Sequence, residues 1–441
     1  LKGYKETRAE NSPDVRLLNY ARPDELSKAE YAEFGLLADN ADIPTKETKW
    51  NVVSSSPTEI KLAWTNRDKV KFERTLGFDD GYLLRVEDKI SNSSKSPLTF
   101  HPYARVVSAF DTRQSPSSHT GLVGFVDGSL VEKTYSDLAG KQPFEVDGAK
   151  GWFGFGTNYF MSVLLPPEGA AVKISARELP SHTPAPTKQF QADYVAPALT
   201  VAPGAETKIE YRAYLGAKES ALLERYEKEL SLPRFDLAVD YGMFYFLSKP
   251  FSTTLGWLHG LTGNFGLAII LFTLMIRVLL FPMAHKSFKS MEKMKRLQPD
   301  MKRIQTMYAN DRQRMNLELA MLYKSNGVNP LSGCLPLLLQ LPVFLALYKA
   351  LVISIEMRQA PFVWWISDLS AHDPYYILPV LMGITMWAQQ RMQPAPDVAQ
   401  NKVMKWLPVI FTVMFAGLPS GLVLYWTTNN ILSILQQRFV R

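Results

Sequence analysis

The sequence predicts a multidomain protein, in which an extracytoplasmic antiparallel β-sandwich precedes an α-helical membrane bundle of five spans with a cytoplasmic helical hairpin. Three observations lead to this prediction. Short apolar alternations broken by turn residues run from Trp50 to Gly216, a pattern typical of antiparallel sheets. Phe265 to Phe281 is an apolar run with a single charge. Residues 1–262 contain 31 Lys and Arg against 34 Asp and Glu, whereas residues 263–441 contain 18 against 8.

The alternation predicts individual strands within a first domain, residues 1–216. The predicted strands are Glu59 to Thr65, Lys69 to Phe78, Tyr82 to Ile90, Leu98 to Phe110, Gly121 to Tyr135, Trp152 to Leu165, Ala171 to Leu179, Phe190 to Val195 and Lys208 to Leu215. The first 48 residues are polar and less periodic, and we expect further strands and loops there.

The sequence of this domain does not point to an enzyme. Its histidines, His101, His119 and His182, have no metal-ligand spacing, and Gly-rich phosphate motifs are absent from the sequence, so we expect no cofactor. A sugar-active site built from His101 or His119 with scattered carboxylates remains an alternative, because sequence cannot bring distant residues together. Cys334 is the only cysteine, which excludes an intramolecular disulfide.

A linker is predicted over residues 217–263. Lys218 to Leu230 has the pattern of a charged amphipathic helix stopped by Pro233. The aromatic-rich segment from Tyr241 to Leu258 is too polar to span a membrane and is interrupted by Pro250. We expect it to lie along the membrane interface. A hinge packed on the β-domain is the alternative.

The membrane core is predicted over residues 264–441, and its first span, residues 265–284, contains Arg277. An arginine in a span costs at least about 2.5 to 3.5 kcal/mol on insertion scales, so it normally faces protein, a partner or water. Arg277 is close enough to the Lys286 end for snorkelling to be an alternative. Thr273 lies one turn earlier on the same helical face, and later spans carry Gln340, Asn429 and Asn430, which favours a shared polar interior.

The hairpin, residues 285–329, contains 10 Lys and Arg against 4 Asp and Glu, which predicts a cytoplasmic location. It is expected to form two helices, His285 to Tyr308, kinked at Pro299, and Asp311 to Ser325. A methionine-rich stripe follows both helices, and its members include Met291, Met294, Met301 and Met315. The stripe is interpreted as the seam of the hairpin or as an adaptable surface for apolar clients, and the two interpretations are compatible.

Four more spans are predicted, over residues 334–353, 376–390, 406–418 and 421–435. The loop from Glu356 to Tyr375 is acidic and carries Trp364 and Trp365, which places it on the outer face, whereas the loop of residues 391–405 is cytoplasmic. The C-terminus then lies in the cytoplasm. The last three apolar cores are only about 20 to 23 Å long, which indicates a thinned bilayer or a hydrated interior.

Several local motifs carry a family resemblance. They are the arginine of the first span, Gly327-Val328-Asn329-Pro330, Gly333-Cys334-Leu335-Pro336, Gln340-Leu341-Pro342, Arg358-Gln359-Ala360-Pro361, Asp373-Pro374-Tyr375-Tyr376, and Leu418-Pro419-Ser420-Gly421-Leu422 before Tyr425-Trp426. Through these residues, from Pro250 to Arg441, the chain resembles the YidC/Oxa/Alb family of membrane protein insertases. The first domain more weakly resembles the family's large periplasmic domain, a supersandwich similar to sugar mutarotases.

The resemblance implies a non-enzymatic insertase of the bacterial inner membrane, with a periplasmic first domain. Its groove, open to cytoplasm and lipid, would receive nascent membrane proteins, alone or with the Sec translocon, SecYEG and SecDF, and the ribosome. Carried over by position, the groove residues are Arg277, Thr273, Gln340, Tyr425, Trp426, Asn429 and Asn430, and the hairpin is the gate. The family also has an N-terminal span that this sequence lacks, and we expect a signal or anchor segment upstream of Leu1.

Two other function classes remain open at this point. A transporter or channel would use the same charged span, but it would be expected to show internal repeats, and none is evident. A membrane-anchored sugar-binding or sugar-modifying protein would carry its function in the β-domain. The basic excess lies in the membrane half, so it is weak evidence for nucleic-acid binding.

Overall fold

A computed structural model describes residues 1, 4–9, 11–19, 28–39, 41–113, 119–180, 186–327, 335–392 and 398–440. The chain divides into two compact units, Leu1–Asp240 and Tyr241–Arg441, each described by itself below. Some predictions concern residues outside the described part. These are His182, the side chain of Met291, the end of the hairpin and start of the second span at residues 328–334, and residues 393–397 of the predicted loop.

The first unit is built of antiparallel strands. They are β1 Tyr31–Ala38, β2 Asn51–Ser55, β3 Glu59–Thr65, β4 Val70–Phe78, β5 Leu83–Asn92, β6 Leu98–Asp111, β7 Gly121–Val126, β8 Ser129–Thr134, β9 Phe144–Ala149, β10 Gly151–Gly156, β11 Phe160–Leu165, β12 Val172–Glu178, β13 Thr187–Val195, β14 Leu199–Val201 and β15 Glu206–Ala217. A short helix, α1 (Tyr135–Leu138), follows β8.

Two sheets face each other in this unit. One has the order β1-β6-β13-β12-β9, with β14 also pairing with β6, and the other has the order β2-β3-β4-β5-β15-β11-β10-β7-β8. The predicted β-sandwich is therefore confirmed. Two of the predicted long strands are hairpins, because the chain turns at Asp127 and Gly128 and again between Gly156 and Phe160.

Alternating burial explains why these segments form strands. Along β5 and β6 buried and more exposed side chains alternate over much of each strand, as the two faces of a pleated strand require. The inward side chains, among them Val86, Ile90, Phe100 and Phe190, are fully buried between the sheets. Burial of this apolar surface is the main favourable contribution to folding of the unit.

The first unit extends beyond the predicted domain end at residue 216. Helix α2 (Ser220–Glu229) and a 3₁₀ turn, Phe235–Ala238, follow the last strand. The Trp152 indole packs edge-on against Phe235 at 5.1 Å, and its Nε1 donates to the Pro233 carbonyl at 3.0 Å. These contacts hold residues up to Asp240 against the sheet, so the compact boundary falls inside the predicted linker of residues 217–263.

The second unit is helical. Its helices are α3 Tyr245–Thr262, α4 Phe265–Met307, α5 Arg312–Ser325, α6 Leu335–Ile353, α7 Ile377–Met392, α8 Val398–Phe415 and α9 Ser420–Val440. Gly263, in the left-handed conformation (φ 65°), ends α3, and the side chain of Asn264 caps α4 by accepting from the Leu267 amide at 3.1 Å.

Helix α4 differs from the prediction, which separated a span ending at residue 284 from a hairpin helix starting at residue 285. It is one helix of 43 residues, with Pro282 and Pro299 inside it. Each proline lacks a backbone N–H and so removes one hydrogen bond of the helix. The turns on either side of it keep the helix continuous. The first span and the first hairpin helix are thus parts of one continuous helix.

Helix α8 also differs, because it begins at Val398, within the predicted cytoplasmic loop of residues 391–405. By length and apolar composition, one helix in the described part of the chain, α4, suffices to cross a membrane, and Gln340–Ile353 and Trp406–Phe415 are shorter apolar helical segments. Helices α7, α8 and α9 have 16, 18 and 21 residues, so they are longer than the apolar cores read from the sequence.

Candidate functional site

Helix α4 presents Arg277 toward α9. Residues three, four and seven apart lie on one helical face, so Thr273, Arg277, Ala284 and Ser287 share a side of α4. Thr273, Ala284 and Ser287 are buried, and Arg277 is half-buried among them. Its guanidinium is therefore held inside the helical unit and not extended along its surface.

The hydrogen bonds of Arg277 are made to neutral groups of α9. Its Nη2 donates to the backbone carbonyl of Asn429 at 3.0 Å and to the hydroxyl of Ser433. The Ser433 hydroxyl in turn donates to the Asn429 carbonyl at 2.7 Å. The Nε of Arg277 is buried, and no described residue accepts a hydrogen bond from it. A buried donor without an acceptor is costly, typically by about 1–3 kcal/mol.

A small cavity of about 30 Å³ opens beside this arginine. The residues that line it are Ile276, Arg277, Leu280, Met283, Ala284, Ser287, Gln340, Val343, Tyr425 and Asn429. None of these described lining residues is acidic. The cavity thus combines an apolar wall with one positive charge that no carboxylate of the lining neutralises.

Gln340 and Tyr425 form a second polar feature of the cavity. The Gln340 amide nitrogen, on α6, donates to the Tyr425 hydroxyl, on α9, at 3.3 Å. The cavity therefore offers hydrogen-bond donors and acceptors together with a cation. The arrangement is suited to binding a polar or anionic group.

Four of the seven predicted groove residues line this cavity: Arg277, Gln340, Tyr425 and Asn429. The other three lie elsewhere in the helical unit. The Thr273 hydroxyl bonds back to the Ile269 carbonyl at 2.6 Å, a local helix contact. The Asn430 amide donates to the Thr385 hydroxyl, on α7, at 3.2 Å.

Trp426 is the third residue outside the cavity lining. Its ring packs against Phe344 at 5.0 Å and Phe415 at 5.3 Å between ring centroids, within the apolar core of the unit. Adjacent residues of a helix point about 100° apart, which explains why Tyr425 reaches the cavity and Trp426 does not.

Ser433 and Ser287 belong to the site but were not predicted. Ser433 follows Asn429 by one helical turn and accepts from Arg277, and Ser287 lines the cavity farther along α4. The spacing of four residues from Asn429 was the available signal for Ser433, because the side chains of residues i and i+4 lie over one another.

One end of the cavity-bearing helices is covered by the loop between α6 and α7. The Ser420 amide donates to the Ala371 carbonyl at 2.7 Å, and the Gly421 amide donates to the Leu369 carbonyl at 2.9 Å. Asp373 is buried, and its carboxylate accepts from the Leu378 amide at 2.7 Å, which caps α7. The loop is thereby fixed across the first turn of α9, at the end away from Ser287.

The predicted methionine stripe lies partly in the seam of the hairpin. Met294 and Met301 of α4 are each 3% exposed and form a cluster with Leu319 and Leu322 of α5. Met315 is half-buried. For Met294 and Met301 the packing favours the seam interpretation, and a client-binding role of the hairpin stays a prediction.

A metal site is not found in the described residues, which contain no group of three or more His, Cys, Asp and Glu arranged to hold an ion. His119 contacts the Leu122 carbonyl at 2.9 Å through Nε2, and His101 lies on β6, which pairs it with Leu37 of β1. Neither of these two contacts brings a carboxylate to the histidine.

Comparison with known protein families identifies the family of this chain. The family model of the YidC periplasmic domain matches residues 1–254, and that of the 60Kd inner membrane protein matches residues 257–441. The chain belongs to the YidC family of membrane protein insertases. The family resemblance is confirmed, and the family is one of insertases of the inner membrane and not of enzymes.

Curated YidC relatives extend the match over the whole chain. The membrane protein insertase YidC of Rickettsia africae is 38% identical, and the match covers 100% of this chain and 82% of the relative. That of Rickettsia bellii is 37% identical, with 100% and 83% covered. A crystal structure of an active YidC insertase with its first transmembrane domain resolved aligns over 91% of this chain and 82% of its own, at 21% identity and a TM-score of 0.41.

Proposed function

We propose that this chain is a membrane protein insertase, which receives nascent membrane proteins in the cavity beside Arg277 and releases their spans into the bilayer. The observation that carries the proposal is the state of Arg277: a cation facing an apolar cavity without an acidic partner in the described lining, and with a buried Nε that lacks an acceptor. Such a group is suited to an anionic or polar segment that binds transiently.

Electrostatics gives Arg277 a role in the capture step. The attraction between two charges scales inversely with the local dielectric, so an acidic client segment is held more strongly beside a half-buried cation than at an exposed one. The neutral acceptors on α9 fix the guanidinium without cancelling its charge. Arg277 is thus a transient partner of the client and not a catalyst.

Apolar transfer supplies the drive for release. The sequence has no nucleotide-binding motif, and removal of a client span from water is worth about 0.8 kcal/mol per CH₂ group. The exposed faces of the helices support this step, since Val278, Leu279, Val409 and Val413 are all more than half exposed in the described unit. These faces would lie against lipid.

The proposed topology has five spans in the inner membrane, with the first unit in the periplasm and the C-terminus in the cytoplasm. Support comes from the basic hairpin, the acidic loop between α6 and α7, and the covered end of α9. In this arrangement the cavity is closed on the periplasmic side and open toward the cytoplasm along the Ser287 face.

The hairpin and the partners are further parts of the proposal. Helix α4 runs without a break from Arg277 into the hairpin, so a movement of α5 at the membrane surface would be transmitted along it to the cavity. We assign the hairpin a gating role, with the ribosome and the Sec translocon as partners of the client-loaded chain. The chemistry of the cavity requires neither partner.

A cross-linking experiment tests the proposal. A photoreactive residue replaces Val343, which lines the cavity, or Val380, on an exposed face of α7, in the full chain in inner-membrane vesicles. We expect a ribosome-stalled single-span client to cross-link from position 343 and much less from position 380. Equal cross-linking from both positions, or none from position 343, would remove the cavity from the account.

A further inference from the structure

Two glutamines near the end of α9 are buried without hydrogen-bond partners in the described structure. Gln436 and Gln437 are 8% and 7% exposed. The amide nitrogen of each, and the amide oxygen of Gln437, contact no donor or acceptor among the described residues. Because nearly all buried polar groups in folded proteins are paired, three unpaired atoms at one place need an explanation, and a bound ligand would provide one.

The glutamines continue the polar face of α9 that begins at Asn429. Ser433 follows Asn429 by four residues and Gln436 follows it by seven, so these three lie on one side of the helix, whereas Gln437, seven residues after Asn430, lies nearer the side of Asn430. Arg277 binds the first two of these positions. Gln436 lies about 10 Å farther along the helix axis than Asn429.

Helices α4 and α9 run parallel, which fixes the direction of this face. A Cβ on Gly421 would lie 3.2 Å from Ile269, and eight residues later on each helix Arg277 contacts Asn429. At the same spacing Gln436 is level with Ala284 of α4. Ala284 and Ser287 line the cavity, so along α4 its lining extends from Arg277 to the level of Gln436, and neither glutamine is among the lining residues.

The chemistry of the amide group identifies the occupant. A carboxamide offers two N–H donors and a carbonyl acceptor, which matches the donor and acceptor of a peptide group. It carries no charge, so it does not distinguish acidic from neutral side chains. An extended client segment, whose backbone groups are unpaired, is the ligand that fits this pattern.

We propose that Gln436 and Gln437 form a second client-binding site, which holds the backbone of an extended polar segment between the cytoplasmic side and Arg277. The proposal rests on the proposed insertase function. The glutamines would act on any translocated polar tail, whereas Arg277 would favour acidic tails. A client would thus be bound first by its backbone and then by its charge.

The test uses the double substitution Gln436→Met and Gln437→Met, because methionine keeps the length and flexibility of glutamine without its polar atoms. Gln390→Met is the matched control, since Gln390 is half-buried in the last part of α7, which also runs parallel to α9. Each full-length variant is reconstituted into vesicles and supplied with a single-span client whose translocated tail contains aspartates, or with its twin containing asparagines.

We expect the double variant to insert both clients about three- to tenfold more slowly, the size expected for one or two lost hydrogen bonds, while Gln390→Met inserts both at the native rate. Insertion of both clients at the native rate by the double variant would overturn the proposal. Loss confined to the acidic client would also overturn it, because the glutamines would then act through Arg277.

Thermal unfolding of the same proteins separates binding from a structural role. Removal of unpaired buried amides is expected to leave the melting temperature unchanged or to raise it, whereas a lower melting temperature would reveal partners within the chain and overturn the proposal. The proposed function fails separately, if the native chain in these vesicles inserts neither client.

Discussion

The guanidinium of Arg277 donates to the backbone carbonyl of Asn429 at 3.0 Å, across 152 residues of sequence. This contact joins α4 to α9 and orients the charge toward the cavity that both helices line. A substitution of Asn429 leaves its backbone carbonyl in place. The position of the arginine therefore depends on the path of the α9 backbone and not on the side chain at position 429. The packing of these helices is therefore part of the site.

Close packing at Gly266 predicts a sharp sensitivity to one methyl group. A Cβ on Gly266 would lie 1.9 Å from the ring of Phe362, whereas a Cβ on Gly260, in α3, would meet nothing within 4 Å. We expect Gly266→Ala to destabilise the helical unit by about 1–3 kcal/mol and Gly260→Ala to stabilise it slightly, since alanine favours helix. Thermal unfolding of the full chain in detergent measures both, and equal melting temperatures for the two variants would contradict the packing.

The Arg74–Asp88 ion pair predicts a large asymmetry between single and double substitutions in the β-sandwich. Two hydrogen bonds of 2.7 and 2.6 Å join the side chains, which are 18% and 7% exposed. Arg74→Met leaves a buried carboxylate and is expected to cost about 3–5 kcal/mol of unfolding free energy. The double variant Arg74→Met with Asp88→Leu is expected to recover much of this loss.

The exposed pair of Lys208 and Glu87 is the matched control for this measurement. Its side chains are 65% and 46% exposed, so Lys208→Met is expected to change the free energy of unfolding by less than about 1 kcal/mol. Urea unfolding followed by the circular dichroism of the sheets gives all three values. A loss at Arg74 no larger than that at Lys208 would show that the buried pair is not needed.

Lys218 predicts a pH dependence of stability in the first unit. Burial lowers the pKa of Lys218 to about 8 from its ordinary 10.5, and the charges of Asp240 and Glu132 offset this shift in part. Between about pH 8 and 10.5 the side chain of Lys218 is protonated in the unfolded chain but not in the folded chain. The contribution of Lys218 to the free energy of unfolding therefore rises with pH in this range.

The comparison with Lys218→Met isolates that contribution. We expect the stability of the native chain to rise relative to the variant by up to about 3 kcal/mol between these pH values, and to change little below pH 8. Urea unfolding at a series of pH values measures the difference. A difference that is constant with pH would mean that Lys218 is as well solvated in the folded chain as in the unfolded one.

The proposed topology predicts opposite labelling of the hairpin and of the loop between α6 and α7. Single cysteines at Ser290, in α4, and Ser370, in that loop, are introduced with Cys334 replaced by serine. We expect a membrane-impermeant reagent to label the two positions from opposite sides of intact inner-membrane vesicles. Labelling of both positions from one side would exclude the five-span arrangement.

The strands that were predictable are those with one buried and one exposed face. β3 was predicted with the bounds that the structure has, because apolar and polar residues alternate along it. β2 was not, since all five of its residues are exposed and it has no inward face to give a pattern. β9, at one end of its sheet, was also missed, whereas β1, at the other end, falls in the first 48 residues, where further strands were expected without bounds.

The cavity was partly predictable from the sequence, because some of its polar residues interrupt an apolar pattern. The charge of Arg277 and the amide of Gln340 are conspicuous in apolar segments, and both line the cavity. The exclusion of Trp426 depends on helix rotation, which a short motif does not fix. Gln436 and Gln437 follow the predicted end of the last span at residue 435, where polar residues are ordinarily solvated, so only the fold reveals their burial.

The central claim, that Arg277 acts through its charge, is tested most directly by comparing Arg277→Lys and Arg277→Ala at matched levels in vesicles. Lysine keeps the charge and loses the guanidinium fork, and Arg391→Ala, at an exposed arginine of α7, controls for loss of a positive charge. The measurement is protease protection of the translocated tail of an acidic client and of its uncharged twin. We predict that the lysine variant and the Arg391→Ala control insert the acidic client nearly as well as the native chain, whereas Arg277→Ala loses most of that insertion and keeps more of the uncharged client. Native insertion of the acidic client by Arg277→Ala would contradict the account.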